Sequence, residues 1–138
     1  AEDILIRLNQ IDEKVKEISK LSTGLIEEYV VKLEERIKQL LKEEQDIDKN
    51  RLAQEVVIFA DKCSIEEEVT RLNSHISQFK ELLSSDEPIG KKLDFIIQEM
   101  NRETNTIGSK ANNLNITNGV IEIKTQIENI REQVQNIE

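Results

Sequence analysis

The stretch from Gly90 to Asn105 has, at the period of an α-helix, one apolar face and one unusual polar face. The apolar positions recur at spacings of three and four: Leu93, Ile96, Ile97, Met100 and Ile107. The polar face mixes carboxylates, carboxamides and a guanidinium: Asp94, Gln98, Asn101, Arg102 and Asn105, with Glu99 and Glu103 on its flank. Such groups suit a site that holds a cation or a phosphate, and a buried polar seam between helices is the structural alternative.

A second group of polar residues precedes this helix. Glu68, Arg71 and His75 are spaced by three and four and therefore stack on one helix face, with Glu67 four residues before Arg71. His75 is the only histidine, and histidine is the residue type best suited to proton transfer near neutral pH. The pattern fits either a helix ion pair beside a surface histidine, or a metal or general acid/base position.

These residues need helices to position them, and the chain supplies apolar stripes at helical spacing throughout. Residues 1–42 predict a helix with a seam at Leu5, Leu8, Ile11, Val15 and Ile18, resumed at Leu25, Tyr29, Leu33, Ile37 and Leu40. Ser22, Thr23 and Gly24 between them predict a kink or a short break. Asp46 or Asp48 is expected to cap a helix over residues 52–60.

Further boundaries follow along the chain. Ser64 and Glu67 match a capping box, which predicts a helix start or bend near Ser64. Pro88 marks the clearest break. The Asn-rich residues 108–118 predict a loop or loosely helical link, with Thr117 as a cap. A strict heptad seam then runs through Val120, Ile123, Ile127, Ile130, Val134 and Ile137.

Composition limits the fold and the function. Of 138 residues, 34% are charged, 3% are aromatic and one is proline, which favours helices packed by Leu, Ile and Val. The net charge of −9 argues against general nucleic-acid affinity, although a local phosphate site is compatible with it. Cys63 is single and indicates a free thiol in a reducing compartment. We predict an all-α fold of long antiparallel helices with coiled-coil-like packing, as a bundle or hairpin, with at least one intersubunit coiled-coil contact.

Three blocks of the sequence resemble the C-terminal half of the bacterial YicC/YloC family. The first is GKKLDF at positions 90–95, with QEMNRE at 98–103 and NT at 105–106. The second is Ile65 with EE at 67–68, RL at 71–72 and SH at 74–75. The third is the ending IREQVQNIE at 130–138. The blocks cover about residues 51–138, so we expect a family domain there, preceded by a helical scaffold over residues 1–50.

The resemblance implies a metal-dependent endoribonuclease of the bacterial cytoplasm that assembles as a homo-oligomer and acts on single-stranded or structured RNA. It also implies an N-terminal domain that is absent from this sequence, so that the chain would be a C-terminal piece. No membrane segment or signal peptide is expected from the sequence.

Cleavage of RNA needs charge neutralisation at the phosphate, an activated oxygen and a proton for the leaving group. We expect Mn²⁺ or Mg²⁺ to be held by carboxylates, with these candidate ligands: Glu67, Glu68, Asp94, Glu99 and Glu103. Candidate catalytic residues are His75, Glu99 and Glu103, with His75 as a ligand or proton carrier. Candidate contacts to RNA are Arg71, Lys92, Arg102, Gln98, Asn101 and Asn105. These roles require the helix of His75 to pack beside the helix of Asp94.

Two other functions fit the sequence. The first is a non-catalytic helical oligomerisation module, whose polar seam sets helix register between helices and subunits. The second is a regulatory RNA-binding adaptor, which the few aromatic residues and the acidic balance disfavour because single-stranded RNA is usually bound by aromatic stacking.

Overall fold

The computed structural model describes residues 2–42, 49–85, 90–111 and 113–137, and every regular element in these ranges is an α-helix. The helices are α1 (Glu2–Lys42), α2 (Lys49–Cys63), α3 (Glu66–Leu83), α4 (Gly90–Lys110) and α5 (Leu114–Ile137). The all-α prediction is therefore confirmed. Asp46, Asp48 and Pro88, the predicted caps and break, lie outside the described residues.

Four of the helices form an antiparallel bundle in which α1 packs on α5 and α3, and α4 packs on α3 and α5. Polar side-chain contacts also connect neighbouring helices of the bundle. Lys14 Nζ of α1 lies 2.9 Å from Glu122 Oε2 of α5, and Lys80 Nζ of α3 lies 2.8 Å from Asn9 Oδ1 of α1. Each helix thus turns its apolar stripe toward a common core, because burial of these stripes is the main stabilising term.

The core consists almost entirely of the residues that the periodicity selects. All five apolar positions predicted for α4 are buried, and Phe79 and Leu72 of α3 are fully enclosed. The heptad seam of α5 is buried within the chain against α1 and α4 from Val120 to Val134. Within the described residues, this seam is therefore filled by intrachain packing.

The N-terminal seam of α1 differs from its prediction by one residue. Ile4 is 1% exposed, whereas Leu5 is 38% exposed. Ile4 precedes Leu8 by four residues and stays on the stripe, while Leu5 is turned about 100° further around the helix. Of the predicted kink or short break at residues 22–24, the break is wrong, because α1 is continuous there and Ser22 is buried as a small member of the stripe.

The predicted helix start near Ser64 is confirmed, since α2 ends at Cys63 and α3 begins at Glu66, but the capping residues of α3 and α5 differ from the prediction. Ile65 is the N-cap of α3 without a side-chain capping bond, and Ser64 Oγ accepts a hydrogen bond from the backbone nitrogen of Glu66 at 3.4 Å. Glu67 does not reach back, since its carboxylate pairs with Arg71 instead. At α5, the side chain of Asn113 accepts hydrogen bonds from the first-turn backbone nitrogens, so Asn113 and not Thr117 forms the cap.

The link between α4 and α5 is much shorter than the predicted residues 108–118, because α4 extends to Lys110 and α5 begins at Leu114. Two glycines allow the helices to approach closely. A Cβ at Gly119 of α5 would lie 2.9 Å from Ile18 Cδ1, and one at Gly108 of α4 would lie 3.3 Å from Val120 Cγ1. The absence of a side chain at these positions therefore sets the spacing of α5 from its neighbours.

The fifth helix, α2, packs on the C-terminal part of α1 away from the four-helix core. The rings of Tyr29 and Phe59 stack with their centroids 4.1 Å apart. Cys63, at the end of α2, is a half-buried free thiol. Over the described ranges, we find no helix with the length and apolar character needed to cross a lipid bilayer.

Candidate functional site

The antiparallel packing of α3 on α4 brings one histidine and two glutamates together. His75 comes from α3, and Glu99 and Glu103 come from successive turns of α4. One ligand atom from each side chain lies within 4.8 Å of the others. We call these three residues the acid–histidine cluster.

The cluster lies at the edge of the core, where burial makes unpaired polar atoms costly. Glu103 is 4% exposed, and His75 and Glu99 are half-buried. His75 Nδ1 is buried and has no hydrogen-bond partner in the described part of the chain. Because buried polar atoms nearly always have partners, His75 Nδ1, like Glu68 Oε2 of the same seam, could bind a ligand or a water molecule.

Arg71 continues the polar seam one helical turn away from His75. Its Nε donates a hydrogen bond to Glu103 Oε1 at 2.9 Å, and its Nη1 donates to Glu67 Oε1 at 2.6 Å. Its Nη2 also lies 3.8 Å from Glu68 Oε1. The hydrogen bond to Glu103, with that to Glu67, raises the pKa of the Arg71 guanidinium above its ordinary value despite partial desolvation. Arg71 therefore stays charged and orients the Glu103 carboxylate.

Glu68 forms the inner end of the seam together with Lys110. Lys110 Nζ lies 2.5 Å from Glu68 Oε1, and Glu68 is 2% exposed. Burial opposes ionisation of Glu68, but the hydrogen bond from Lys110 and the charge of Arg71 outweigh it, so the pKa of Glu68 lies below its ordinary value. Sequence reasoning missed Lys110, although its position seven residues after Glu103 places it on the same helix face.

The other predicted site residues of α4 do not join the cluster. Asp94 lies toward α5, where the hydrogen bonds to Glu128 mainly raise the pKa of Arg131 and the charge of Asp94 adds a smaller contribution. Asn101 and Asn105 line a groove between α4 and α5. The structure thus separates the polar face of α4 into a flank that faces α3 and a flank that faces α5.

Three predicted RNA contacts are exposed. Gln98 and Lys92 are on the surface, and Lys92 lines a depression between α3 and α4. The Arg102 side chain is 75% exposed, with its Nη1 3.7 Å from Glu99 Oε2. Arg102 and Lys92 therefore lie on the surface that surrounds the acid–histidine cluster.

The donor set of the cluster fits a divalent metal ion. Two carboxylates supply hard oxygen donors, and an imidazole supplies a nitrogen donor that Mn²⁺ accepts more readily than Mg²⁺. Ion pairing does not distinguish the carboxylates of the seam, because Arg71 pairs with Glu67 and also with Glu103, and Lys110 pairs with Glu68. His75, Glu99 and Glu103 differ from the others in geometry: one ligand atom from each lies within 4.8 Å of the others, so these three could hold an ion together.

Comparison with known proteins agrees with the motifs in the sequence. A family described as "Endoribonuclease YicC-like, C-terminal" matches residues 18–138. The chain is 55% identical over its whole length to a protein of Clostridioides difficile named probable endoribonuclease YicC, of which it covers 47%. It is 40% identical over 105 residues to the protein of that name from Haemophilus influenzae; the match covers 75% of this chain and 37% of that protein. The chain thus spans less than half the length of these relatives.

Proposed function

The chain belongs to the YicC-like endoribonuclease family, and from this premise we propose that its α3–α4 seam contributes a divalent-metal-dependent centre for cleaving RNA. The observation that carries the proposal is that one ligand atom each of His75, Glu99 and Glu103 lie within 4.8 Å of one another, with the buried Nδ1 of His75 unpartnered in the described residues. No other group of ion pairs in the bundle can include a histidine, because His75 is the only histidine in the chain.

His75, Glu99 and Glu103 would hold the ion, with Mn²⁺ favoured over Mg²⁺ by the imidazole. A divalent ion held there supplies charge neutralisation at a phosphodiester and lowers the pKa of water. Arg71 holds the Glu103 carboxylate in place through its Nε. Its side chain is 44% exposed, and its guanidinium would contact a phosphate oxygen next to its ion pair with the exposed Glu67.

Exposed residues around the cluster would bind the RNA strand. Arg102 and Lys92 would contact phosphates, and Gln98 would contact RNA from the same exposed side of α4. Asn101 and Asn105 would extend these contacts into the groove beside α5. We further propose that the remainder of the longer polypeptide and other copies of the chain complete the active assembly, in the bacterial cytoplasm where RNA is available as substrate.

Cleavage of a labelled RNA by the 138-residue chain and by a full-length relative, each with Mn²⁺ and with excess chelator, tests this function. We expect cleavage that requires the metal and that His75→Ala abolishes. Glu13→Gln, an exposed substitution on α1, is the matched control and should leave cleavage unchanged. Undiminished manganese-dependent cleavage by both His75→Ala and Glu99→Gln would contradict the proposal.

A second candidate, the non-catalytic oligomerisation module, is favoured by one observation. Glu68, Lys110 and Arg71 already form a buried ion-paired network that links α3 to α4 without any ligand. Such networks can set helix register and partner choice. Crystals soaked with Mn²⁺ distinguish the two functions, because an anomalous peak at the acid–histidine cluster supports chemistry and its absence at saturating metal supports a purely structural seam.

A further inference from the structure

Phe95 of α4 is the more exposed of two aromatic side chains at the surface of the described residues. Of the four aromatic residues, Phe79 fills the core and Tyr29, 42% exposed, stacks on Phe59, whereas Phe95 is 61% exposed. Phe95 lies outside the buried apolar stripe of α4, and in the described part of the chain its ring stacks on no other aromatic. Exposing a whole phenyl ring forgoes the burial that stabilises the rest of the bundle.

The ring lines a depression of about 540 Å³ between α3 and α4, within the size range of small-ligand sites, about 300–1,000 Å³. Among the described residues that line the depression, Lys91 and Lys92 are cationic and Glu81 is anionic. This described lining carries a net positive charge in a chain whose net charge is −9. A flat aromatic surface between ammonium groups is complementary to a base attached to a phosphate.

The depression adjoins the acid–histidine cluster. Phe95 precedes Glu99 by four residues on α4, and Gln78, on the opposite wall, follows His75 by three residues on α3. The wall residues of the depression are thus about one helical turn, a rise of roughly 5.4 Å, from the cluster residues along each helix. A nucleotide bound in the depression would therefore lie next to the cluster.

We propose that Phe95, Lys91 and Lys92 form a subsite that binds one unpaired nucleotide of RNA next to the scissile phosphate, with its base stacked on the Phe95 ring. This inference rests on the proposed function and specifies its substrate as single-stranded at that position. In a duplex each base is already stacked and paired, so it is not available to stack on the Phe95 ring.

Binding of a fluorescent single-stranded oligoribonucleotide in chelator tests the subsite without requiring metal or cleavage. We expect Phe95→Ala to weaken binding about tenfold and Phe95→Trp to preserve it, because stacking depends on the ring and tolerates any base. Leu114→Ala, which removes a 74% exposed apolar side chain at the start of α5, is the matched control and should bind normally. A duplex of the same sequence should be insensitive to Phe95→Ala.

The two lysines give a separate measurement on the same subsite. The Lys91→Ala/Lys92→Ala variant should lower the salt dependence of log K by about 0.7 for each phosphate that the variant no longer neutralises. Lys20→Ala on α1 is the charge control and should leave that slope unchanged. Because Phe95 is exposed, Phe95→Ala should retain the native circular dichroism spectrum and melting temperature.

Three outcomes would overturn the subsite: equal affinity of wild type and Phe95→Ala, no measurable affinity of the wild type, or a loss of self-association on Phe95→Ala with unchanged RNA affinity. The last outcome would assign the depression to a contact between copies of the chain. Failure of the proposed cleavage alone is distinguishable, because it would appear as absent turnover while Phe95-dependent binding in chelator persists.

Discussion

Arg71 of α3 donates a hydrogen bond to Glu103 of α4 at 2.9 Å, and this contact joins the structural seam to the acid–histidine cluster. Glu103 therefore makes two kinds of contact. Its Oε1 accepts the hydrogen bond from Arg71, and one of its carboxylate oxygens lies within 4.8 Å of the possible metal-ligand atoms of His75 and Glu99. The same carboxylate that ties the two helices together also faces the candidate metal centre.

Arg71→Met should lower the melting temperature of the chain. The substitution leaves Glu103, which is 4% exposed, with a buried charge and no guanidinium partner. Thermal unfolding followed by circular dichroism measures the change. Arg102→Met is the matched control, because its longer and more exposed contact to Glu99 contributes little. Equal decreases in both variants would show that Arg71 has no special structural role.

Glu68→Gln should make stability less dependent on pH. The pKa of Glu68 is lowered in the folded state, so its charge stabilises the fold above the ordinary value of 4.5, and this contribution is lost as pH falls through the folded pKa. We expect Glu68→Gln to cost about 1–2 kcal/mol at pH 7 and to converge with wild type under strongly acidic conditions. Urea unfolding across this pH range measures the difference.

The control for Glu68 is Glu13→Gln, at an exposed position of α1. That variant should follow the wild-type stability curve at every pH. If Glu68→Gln instead stays below wild type by a constant amount down to strongly acidic pH, its effect comes from packing and the ionised carboxylate is not responsible.

Gly119→Ala should destabilise the bundle although alanine favours helices. The added Cβ would meet Ile18 Cδ1 at 2.9 Å, and overpacking of about 1–3 kcal/mol exceeds the helix gain of about 0.5–1 kcal/mol. Gly24→Ala is the matched control: its Cβ meets nothing within 4 Å, so it should stabilise the chain. Urea denaturation measures both changes.

The clash can be tested by a double variant. Ile18→Val removes Cδ1, so Gly119→Ala/Ile18→Val should be less destabilised than the sum of the two single variants. If the changes in unfolding free energy of the two single variants are strictly additive, the new methyl group does not contact Ile18.

Glu99→Gln and Asp94→Asn should differ in metal affinity although both residues lie on the polar face of α4. Glu99 belongs to the cluster, whereas Asp94 lies toward Arg131 of α5. We expect Glu99→Gln to weaken Mn²⁺ binding by more than about tenfold. Replacing a residue that only hydrogen-bonds to a metal ligand already lowers metal affinity about 10–100-fold. Titration monitored by electron paramagnetic resonance measures this, and a comparable decrease in Asp94→Asn would contradict the assignment.

Much of the fold could be predicted from local pattern. The stripes of α3, α4 and α5 are evident in the sequence because an apolar side chain every three or four residues can be buried only as a helix. The errors fall at helix ends and breaks. Ser64 and Thr117 have suitable capping chemistry, yet Ile65 and Asn113 occupy the cap positions, since the exact first turn depends on how the helix packs.

The amino-acid sequence alone determined that the chain is helical, which faces are apolar and which residues carry chemistry, because these properties arise within a few residues of one another. Only the tertiary structure decided which polar residues meet. Asp94 and Glu103 are nine residues apart, about 180° around α4. Because α3 packs on the Glu103 side, Glu103 reaches His75 and Asp94 does not. Lys110 and Glu68 are likewise brought together by the packing of α4 on α3. They are 42 positions apart in sequence, so helical periodicity does not predict their contact.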